Sequence, residues 1–267
     1  MSASASASAT ASDGAAGVAA RAADLLLAAR RDHPGGRIEH LPPELRPADQ
    51  AAAYAIQRRV AASYAAIGGW KVGAPGPDAP PICGPLPSAG IVPSPATLPT
   101  RTHAYRGIEA EIAFRMARDL PPRDAPYTRE EVIAALGAAH PAIEVLESRF
   151  LDPDAIDPLT NLADTQSHGG FVYGAPVADW HAIDFARETV EQVVDGQLHK
   201  SGTGNPGGDM IRLIAWLANE GARWAGGLKA GQFVTCGSWT GKAPVGPAAK
   251  VRVRFARMGE VSASFAA

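Results

Sequence analysis

Residues 69–99 constrain the fold of this chain more than any other stretch. Proline and glycine recur there every few residues, as GWKVGAPGPDAPPICGPLPSAGIVPSPATLP. A proline ring removes a backbone donor and clashes with the preceding helical turn, so no long helix forms across it. Short strands joined by turns are expected instead. The stretch excludes an all-helical fold and marks the start of a β-rich body.

Four helices are expected around this body. The first covers residues 19–31, where an amphipathic pattern stops at a Pro-Gly-Gly sequence, and the second starts near Pro47 and ends at Gly68. Thr128 and Glu131 form the pattern of a capping box, which predicts a helix over residues 129–140. The last helix is expected over residues 208–226, with an apolar stripe that begins at Met210.

The fold class predicted from these patterns is α+β. We expect an N-terminal helical segment followed by a mixed, strongly curved β-sheet body with flanking helices. The expected units are an Ala/Ser-rich disordered tail over residues 1–18, the helical segment over 19–69 and the β-rich catalytic body over 70–267. The tail lacks the basic region and the compact apolar region of a secretory signal, so no such signal is expected.

Composition favours a cytoplasmic protein that binds neither nucleic acid nor membranes. The formal net charge is −2, and no apolar run approaches the roughly 20 residues of a membrane span. Cys83 and Cys236 stand far apart without a CxxC pairing, which fits a reducing compartment and excludes a cysteine-based zinc site. We expect both cysteines to be small buried side chains.

The segment GIEAEIAF, residues 107–114, carries two carboxylates in a strand-like alternation. Alternation places Glu109 and Glu111 on one face, about 7 Å apart at their origins, and the apolar residues on the other. A hard cation such as Mg²⁺ or Mn²⁺ would relieve the repulsion between them, and the alternative is an exposed polar strand face.

Glu144 is a third candidate ligand. It lies in PAIEVLESRF, residues 141–150, among apolar neighbours. A carboxylate in such a run is costly to bury unless it is paired or coordinates a metal. Glu147 competes for this role, although alternation turns it to the opposite face.

These motifs, followed by LADTQSHGGFVYG and by WLANE and GLKAGQFVTCGSWTG, resemble in order and spacing the fumarylacetoacetate hydrolase superfamily. The similarity is to its 2-keto-4-pentenoate hydratase and 4-oxalocrotonate decarboxylase branch, over roughly residues 51–255. The resemblance implies the fumarylacetoacetate hydrolase C-terminal-like fold. It also implies that Glu109, Glu111 and Glu144 hold Mg²⁺ or Mn²⁺. A homo-oligomer is expected for such sheet folds.

The resemblance implies catalytic roles for Lys71, Asp164 and His168. Lys71 lies in GWKVG and would donate to a developing oxyanion, or shuttle a proton if burial lowers its pKa. Asp164 would act as a base, and His168 as a general acid or base. The alternatives are a surface lysine, a turn aspartate and a polar loop histidine.

The resemblance further implies substrate contacts from Ser238 and Thr240 of GSWTG and from Pro206 of an Asn-Pro-Gly-Gly turn. Their alternatives are ordinary turn residues. The chain departs from the family pattern at Thr165, at Ser167 with His168, and at Ala74-Pro75. These departures concern the identity of the substrate and the reaction, and they leave the metal site intact.

By this resemblance the chain is expected to be a hydratase of aromatic catabolism. It would add water to a 2-hydroxy-2,4-dienoate and release a 4-hydroxy-2-oxo acid. The alternatives are a 2-oxo-3-hexenedioate (4-oxalocrotonate) decarboxylase, a C–C bond hydrolase of an acylpyruvate-like substrate, and a non-catalytic metal- or ligand-binding homologue. Family hydrolases usually carry a His–Glu pair before the first metal ligand, and residues 70–98 contain neither residue type. This favours hydratase or decarboxylase.

Overall fold

The computed structural model describes residues 3–266, with side chains described from residue 14 onward. The chain divides into two compact units. The first unit contains the chain up to Tyr64 together with Ser148–Ser167, and the second contains Ala65–Glu147 and the chain from His168. The α-helices of both units are α1 (Ala3–Arg31), α2 (Gln50–Ala61), α3 (Arg129–Ala135), α4 (Pro158–Ala163) and α5 (Met210–Trp216).

The first unit is helical. Helix α1 packs on α2, and α2 packs on α4. The helix expected over residues 19–31 is present, and α1 begins earlier, at Ala3, so residues 3–18 have helical backbone where the sequence predicted a tail. Alternate alanines favour this, because alanine has the highest helix propensity. The domain boundaries at residues 18 and 69 stay predictions.

Helix α2 is shorter than predicted at both ends. Its first residue is Gln50 rather than Pro47, because the Asp49 side chain accepts from the Ala52 backbone N–H at 2.8 Å and caps the helix there. It ends at Ala61, well before Gly68, where the Ser63 hydroxyl donates to the Val60 backbone carbonyl at 2.7 Å.

The two helices of the second unit also differ from their predicted lengths. The capping box at Thr128 and Glu131 is confirmed, but α3 ends at Ala135, so the prediction of helix up to His140 was wrong. Residues 136–140 pair with a neighbouring strand, and this pairing overrides their helical pattern. Helix α5 is prolonged by a π-helical turn, Leu217–Gly221, and a 3₁₀ turn, Arg223–Ala225.

The second unit contains two sheets. Its strands are β1 (Ile67–Gly73), β2 (Ile82–Pro87), β3 (Ile91–Pro93), β4 (Ala96–Leu98), β5 (Gly107–Met116), β6 (Leu136–Leu146), β7 (His168–Tyr173), β8 (Thr189–Val194), β9 (Gln197–Thr203), β10 (Phe233–Thr235), β11 (Ala243–Pro244), β12 (Lys250–Phe255) and β13 (Gly259–Phe265). The larger sheet has the order β2-β1-β10-β5-β6-β7-β3, with β11 also paired to β5, and the smaller has the order β4-β13-β12-β8-β9. Parallel and antiparallel pairs both occur, which confirms the α+β class with a mixed sheet.

One face of the larger sheet carries the site residues. Strand register places Lys71 opposite Thr235, Thr235 opposite Ala113, and Glu109 opposite Glu144. Directly opposed residues point to the same side of a sheet. The same face also carries a buried apolar cluster of Leu86, Ala113, Ala142, Phe171 and Phe233. The polar group therefore borders hydrophobic core.

Both cysteines are free and buried, as the sequence predicted. Within residues 3–266, the helices are all too short or too polar to span a bilayer.

Candidate functional site

Three carboxylates converge on the larger sheet. Glu109 and Glu111 come from β5, and Glu144 comes from the adjacent strand β6, directly opposite Glu109. One ligand oxygen from each residue can be chosen so that all three lie within 4.8 Å of one another. Glu111 and Glu144 are buried, with 1 % and 0 % of their surface exposed. The structure thus brings together all three predicted ligands.

The cluster is electrostatically costly. Burial, followed by the charge of Glu144, raises the pKa of Glu109 to about 7 and raises the pKa of Glu111 well above its usual range. Burial would also raise the pKa of Glu144, but Lys71 and His168 outweigh it and hold that pKa below its usual value. Without a cation, this repulsion favours proton uptake on Glu109 and Glu111.

Lys71 supplies a buried ammonium to this cluster. Its Nζ donates to Glu144 Oε1 at 2.6 Å, and the side chain is 9 % exposed. Burial acts to lower the pKa of Lys71, but Glu144, Glu109 and Glu111 together raise it above its usual value. A protonated lysine favours the predicted donor role over proton shuttling.

His168 shares the same oxygen of Glu144. It is the first residue of β7, is buried, and lies with Nδ1 3.2 Å from Glu144 Oε1. Because Glu144 is held ionised, this nitrogen is assigned as the donor. The ring therefore orients Glu144.

The GSWTG turn follows β10 and supplies two hydroxyls. The Ser238 hydroxyl is buried without a well-aligned hydrogen bond, yet it lies close enough to Glu109 to lower that pKa. The Thr240 hydroxyl donates to Gln192 Oε1 at 3.1 Å and accepts from the Ala110 backbone N–H at 3.3 Å. Thr240 thereby fastens β5 beside Glu109 and Glu111.

The turn that contains Pro206 is anchored next to the cluster's strand. Asn205 Nδ2 donates to the Cys236 carbonyl at 2.7 Å, and the Asn205 side chain accepts from the Gly207 N–H at 2.8 Å. Pro206 itself is exposed. A cleft of about 710 Å³ borders this turn through Asn205 and Gly208, but its lining contains none of the three carboxylates.

Asp164 belongs to the first unit, whereas Lys71 and His168, the other two predicted catalytic residues, belong to the second. Its carboxylate accepts from Arg149 Nε at 2.7 and 2.8 Å, and both side chains are buried. Thr165, Gln166 and Ser167 follow with left-handed backbone, at φ of 54°, 53° and 56°. Such a run is strained for residues other than glycine, and the packing around it must hold it in place.

Glu147, which the sequence left as an alternative to Glu144 for the third metal ligand, has other partners. Its carboxylate accepts the backbone N–H groups of Tyr105, at 2.9 and 3.0 Å, and of Arg106, at 3.3 Å. It is absent from the carboxylate cluster found among the described residues. Glu147 therefore shapes the chain entering β5.

Sequence reasoning missed Thr235. This residue ends β10, is fully buried and donates a hydrogen bond to Glu111 Oε2. The alternation of Phe233 and Thr235 on one face was a usable signal, but the strand is only three residues long.

The donor set fits a hard divalent cation. Glu144 Oε2 is buried and has no hydrogen-bond partner among the described residues, and it belongs to a group of three oxygen ligands. An orphaned carboxylate oxygen in a closed anionic cluster calls for a positive partner. Oxygen ligands of this type suit Mg²⁺ or Mn²⁺.

No family model matches the chain. A 2-hydroxyhexa-2,4-dienoate hydratase from Comamonas testosteroni is 35 % identical over 142 residues, which cover 53 % of this chain and 52 % of that enzyme. The chain thus spans about half the length of this relative.

The crystal structure of a 4-oxalocrotonate decarboxylase from Pseudomonas putida, complexed with magnesium and adipate, matches with a TM-score of 0.79 and 27 % identity. The match covers 93 % of this chain and 97 % of that one. The chain is thus similar, in sequence and in fold, to enzymes of the hydratase and decarboxylase branch of the fumarylacetoacetate hydrolase superfamily. A superfamily protein from yeast, with a TM-score of 0.53 and 14 % identity, shares the fold alone.

Proposed function

We propose that this protein is a lyase that depends on a divalent metal and acts on a small 2-oxo acid. The reaction we favour is hydration of a 2-hydroxy-2,4-dienoate, of the 2-keto-4-pentenoate type, to a 4-hydroxy-2-oxo acid. The convergence of Glu109, Glu111 and Glu144 beside Lys71 carries this proposal. The hydratase relative, which is named for a 2,4-dienoate substrate, supports it.

The proposed metal ligands are Glu109, Glu111 and Glu144. A divalent cation held there would supply Lewis-acid stabilisation to the negative charge that develops on a 2-oxo acid. Buried apolar side chains on the same sheet face lower the local polarity, which strengthens such electrostatic interactions.

The chain's own groups would handle the protons. Lys71, as an ammonium, would donate to an oxygen that gains charge, and His168 would accept a proton at Nε2 while Nδ1 stays on Glu144. Asp164, whose carboxylate accepts a hydrogen bond from Arg149 Nε, is proposed as a second base. Ser238 would donate its hydroxyl to a substrate oxygen. Thr240 and Pro206 would shape the side of the site that contacts the substrate.

Decarboxylation is the second candidate. The observation in its favour is the match to 4-oxalocrotonate decarboxylase along nearly the whole of both chains. The same carboxylates and Lys71 would serve it, with 2-oxo-3-hexenedioate as substrate and CO₂ as product. The absence of histidine and glutamate from residues 70–98 argues against the hydrolase alternative. The retained Lys71 and carboxylate cluster argue against a non-catalytic homologue.

The test is the ultraviolet absorbance of 2-hydroxypenta-2,4-dienoate mixed with metal-free protein, before and after addition of Mg²⁺ or Mn²⁺. We expect metal-dependent loss of the dienol with formation of the 4-hydroxy-2-oxo acid. The Glu109→Ala and Glu111→Ala variants should lose this activity. Tight metal binding without turnover would contradict hydration of this substrate, and a CO₂ assay with 2-oxo-3-hexenedioate would then decide the second candidate.

The partners proposed for the chain are the 2-oxo acid substrate and further copies of itself. The homo-oligomer and the cytoplasmic location stay predictions.

A further inference from the structure

Each carboxylate of the cluster has a protein donor beside it. Glu144 Oε1 accepts from Lys71 and His168, while its Oε2 has no partner in the described structure. Glu111 Oε2 accepts from the Thr235 hydroxyl, and Ser238 lies beside Glu109. At Glu144, protein donors thus engage one oxygen and leave the other for a cation.

We propose that Thr235 is a positioning residue that holds Glu111 in the orientation needed to bind the metal. This inference rests on the metal site of the proposed function. The Thr235 hydroxyl donates a hydrogen bond to Glu111 Oε2. Partners of metal ligands fix ligand orientation, and their loss typically weakens metal affinity by about 10–100-fold.

The position of Thr235 in the sheet makes this contact specific. Strand β10 lies between β1 and β5, and Thr235 pairs with Lys71 on one side and with Ala113 on the other. Ala113 is two residues beyond Glu111 on the same face, so the hydroxyl reaches Glu111 diagonally. Thr235 has 0 % exposure, and solvent therefore offers no ready replacement for its hydroxyl.

Threonine suits this role through its shape as well as its hydroxyl. A β-branched side chain has few allowed rotamers, so its hydroxyl is held in place. Valine has nearly the same shape without the donor. In Thr235→Val the buried Glu111 carboxylate would lose its donor and its preferred orientation.

The test measures Mn²⁺ affinity of metal-free protein by isothermal titration calorimetry and by the electron paramagnetic resonance signal of free Mn²⁺. Thr235→Val is expected to weaken binding about 10–100-fold. Thr235→Ser keeps the hydroxyl and should stay within about threefold of wild type, because the ligand's donor is restored. Thr189→Val, on the exposed start of β8, is the matched control and should not change affinity.

Three results would overturn the proposal: Thr235→Val binding Mn²⁺ as wild type does, Thr235→Ser binding as weakly as Thr235→Val, or wild type failing to bind Mn²⁺. Thr235→Ala provides a second hydroxyl-free variant if the valine variant does not fold, and the same affinity criterion applies to it. Tight Mn²⁺ binding by wild type without dienoate turnover would contradict only the proposed reaction.

Discussion

The buried charges of the site are balanced for a divalent partner. Three carboxylates and the Lys71 ammonium carry a formal charge of −2 when all are ionised, and a divalent cation neutralises it. In the absence of that cation, burial and mutual repulsion raise the pKa of Glu109 to about 7. The residues of this cluster are thus poorly suited to a purely structural role, because an uncompensated buried charge is destabilising.

Lys71→Met separates metal binding from chemistry. Removal of the ammonium leaves the buried Glu144 without its closest positive partner, so the metal-free protein should lose about 3–5 kcal/mol of unfolding free energy. Mn²⁺ should bind at least as tightly as in wild type, because no cation competes for Glu144. Turnover should fall about 100-fold or more, since a positioned acid or base typically contributes that much.

Urea unfolding, Mn²⁺ titration and steady-state turnover of the Lys71 variant check these three expectations. Full activity in Lys71→Met would exclude any role of this ammonium in the reaction.

Among the secondary-structure elements, β1 and β10 approach each other closely where they carry Lys71 and Thr235. Gly69 and Phe233 are opposed in this parallel pair. A Cβ atom at Gly69 would lie 2.6 Å from the Phe233 carbonyl oxygen, which belongs to the backbone and cannot rotate away. Glycine at this position thereby allows the two strands to place their polar side chains next to each other.

Gly69→Ala is expected to force β1 and β10 apart. Overpacking of this kind costs about 1–3 kcal/mol of unfolding free energy. Mn²⁺ affinity should fall as well, because the Thr235 hydroxyl shifts relative to the Glu111 carboxylate. Gly246→Ala is the matched control, since a Cβ there meets nothing within 4 Å. Equal melting temperatures and equal Mn²⁺ affinities for the two variants would contradict this account of the β1–β10 pair.

At the scale of the whole molecule, metal binding should be linked to global stability. A ligand that binds only the folded state at about 100 times its Kd adds about 2.7 kcal/mol. For a protein of this size, that corresponds to a rise in Tm of about 5–10 °C. Differential scanning calorimetry with Mn²⁺, and again with excess EDTA, measures the shift. The Glu109→Ala/Glu111→Ala double variant should show none, and an unchanged shift there would place the stabilising metal elsewhere.

The sequence by itself determined the features that depend on neighbouring residues. Alternation along residues 107–114 predicted that Glu109 and Glu111 share a face, and the apolar run around Glu144 predicted a third buried carboxylate. The capping box at Thr128 was readable for the same reason, because both of its partners lie within one helical turn.

Only the tertiary structure decided the features that depend on strand pairing. Thr235 and Glu111 are 124 positions apart, so no local pattern links them, and the register of β10 against β5 brings them together. His140 looked helical by its neighbours but lies in β6, opposite Ala113. Local periodicity reports which residues share a face, whereas the partner strand and its register are set by the packing of segments remote in sequence.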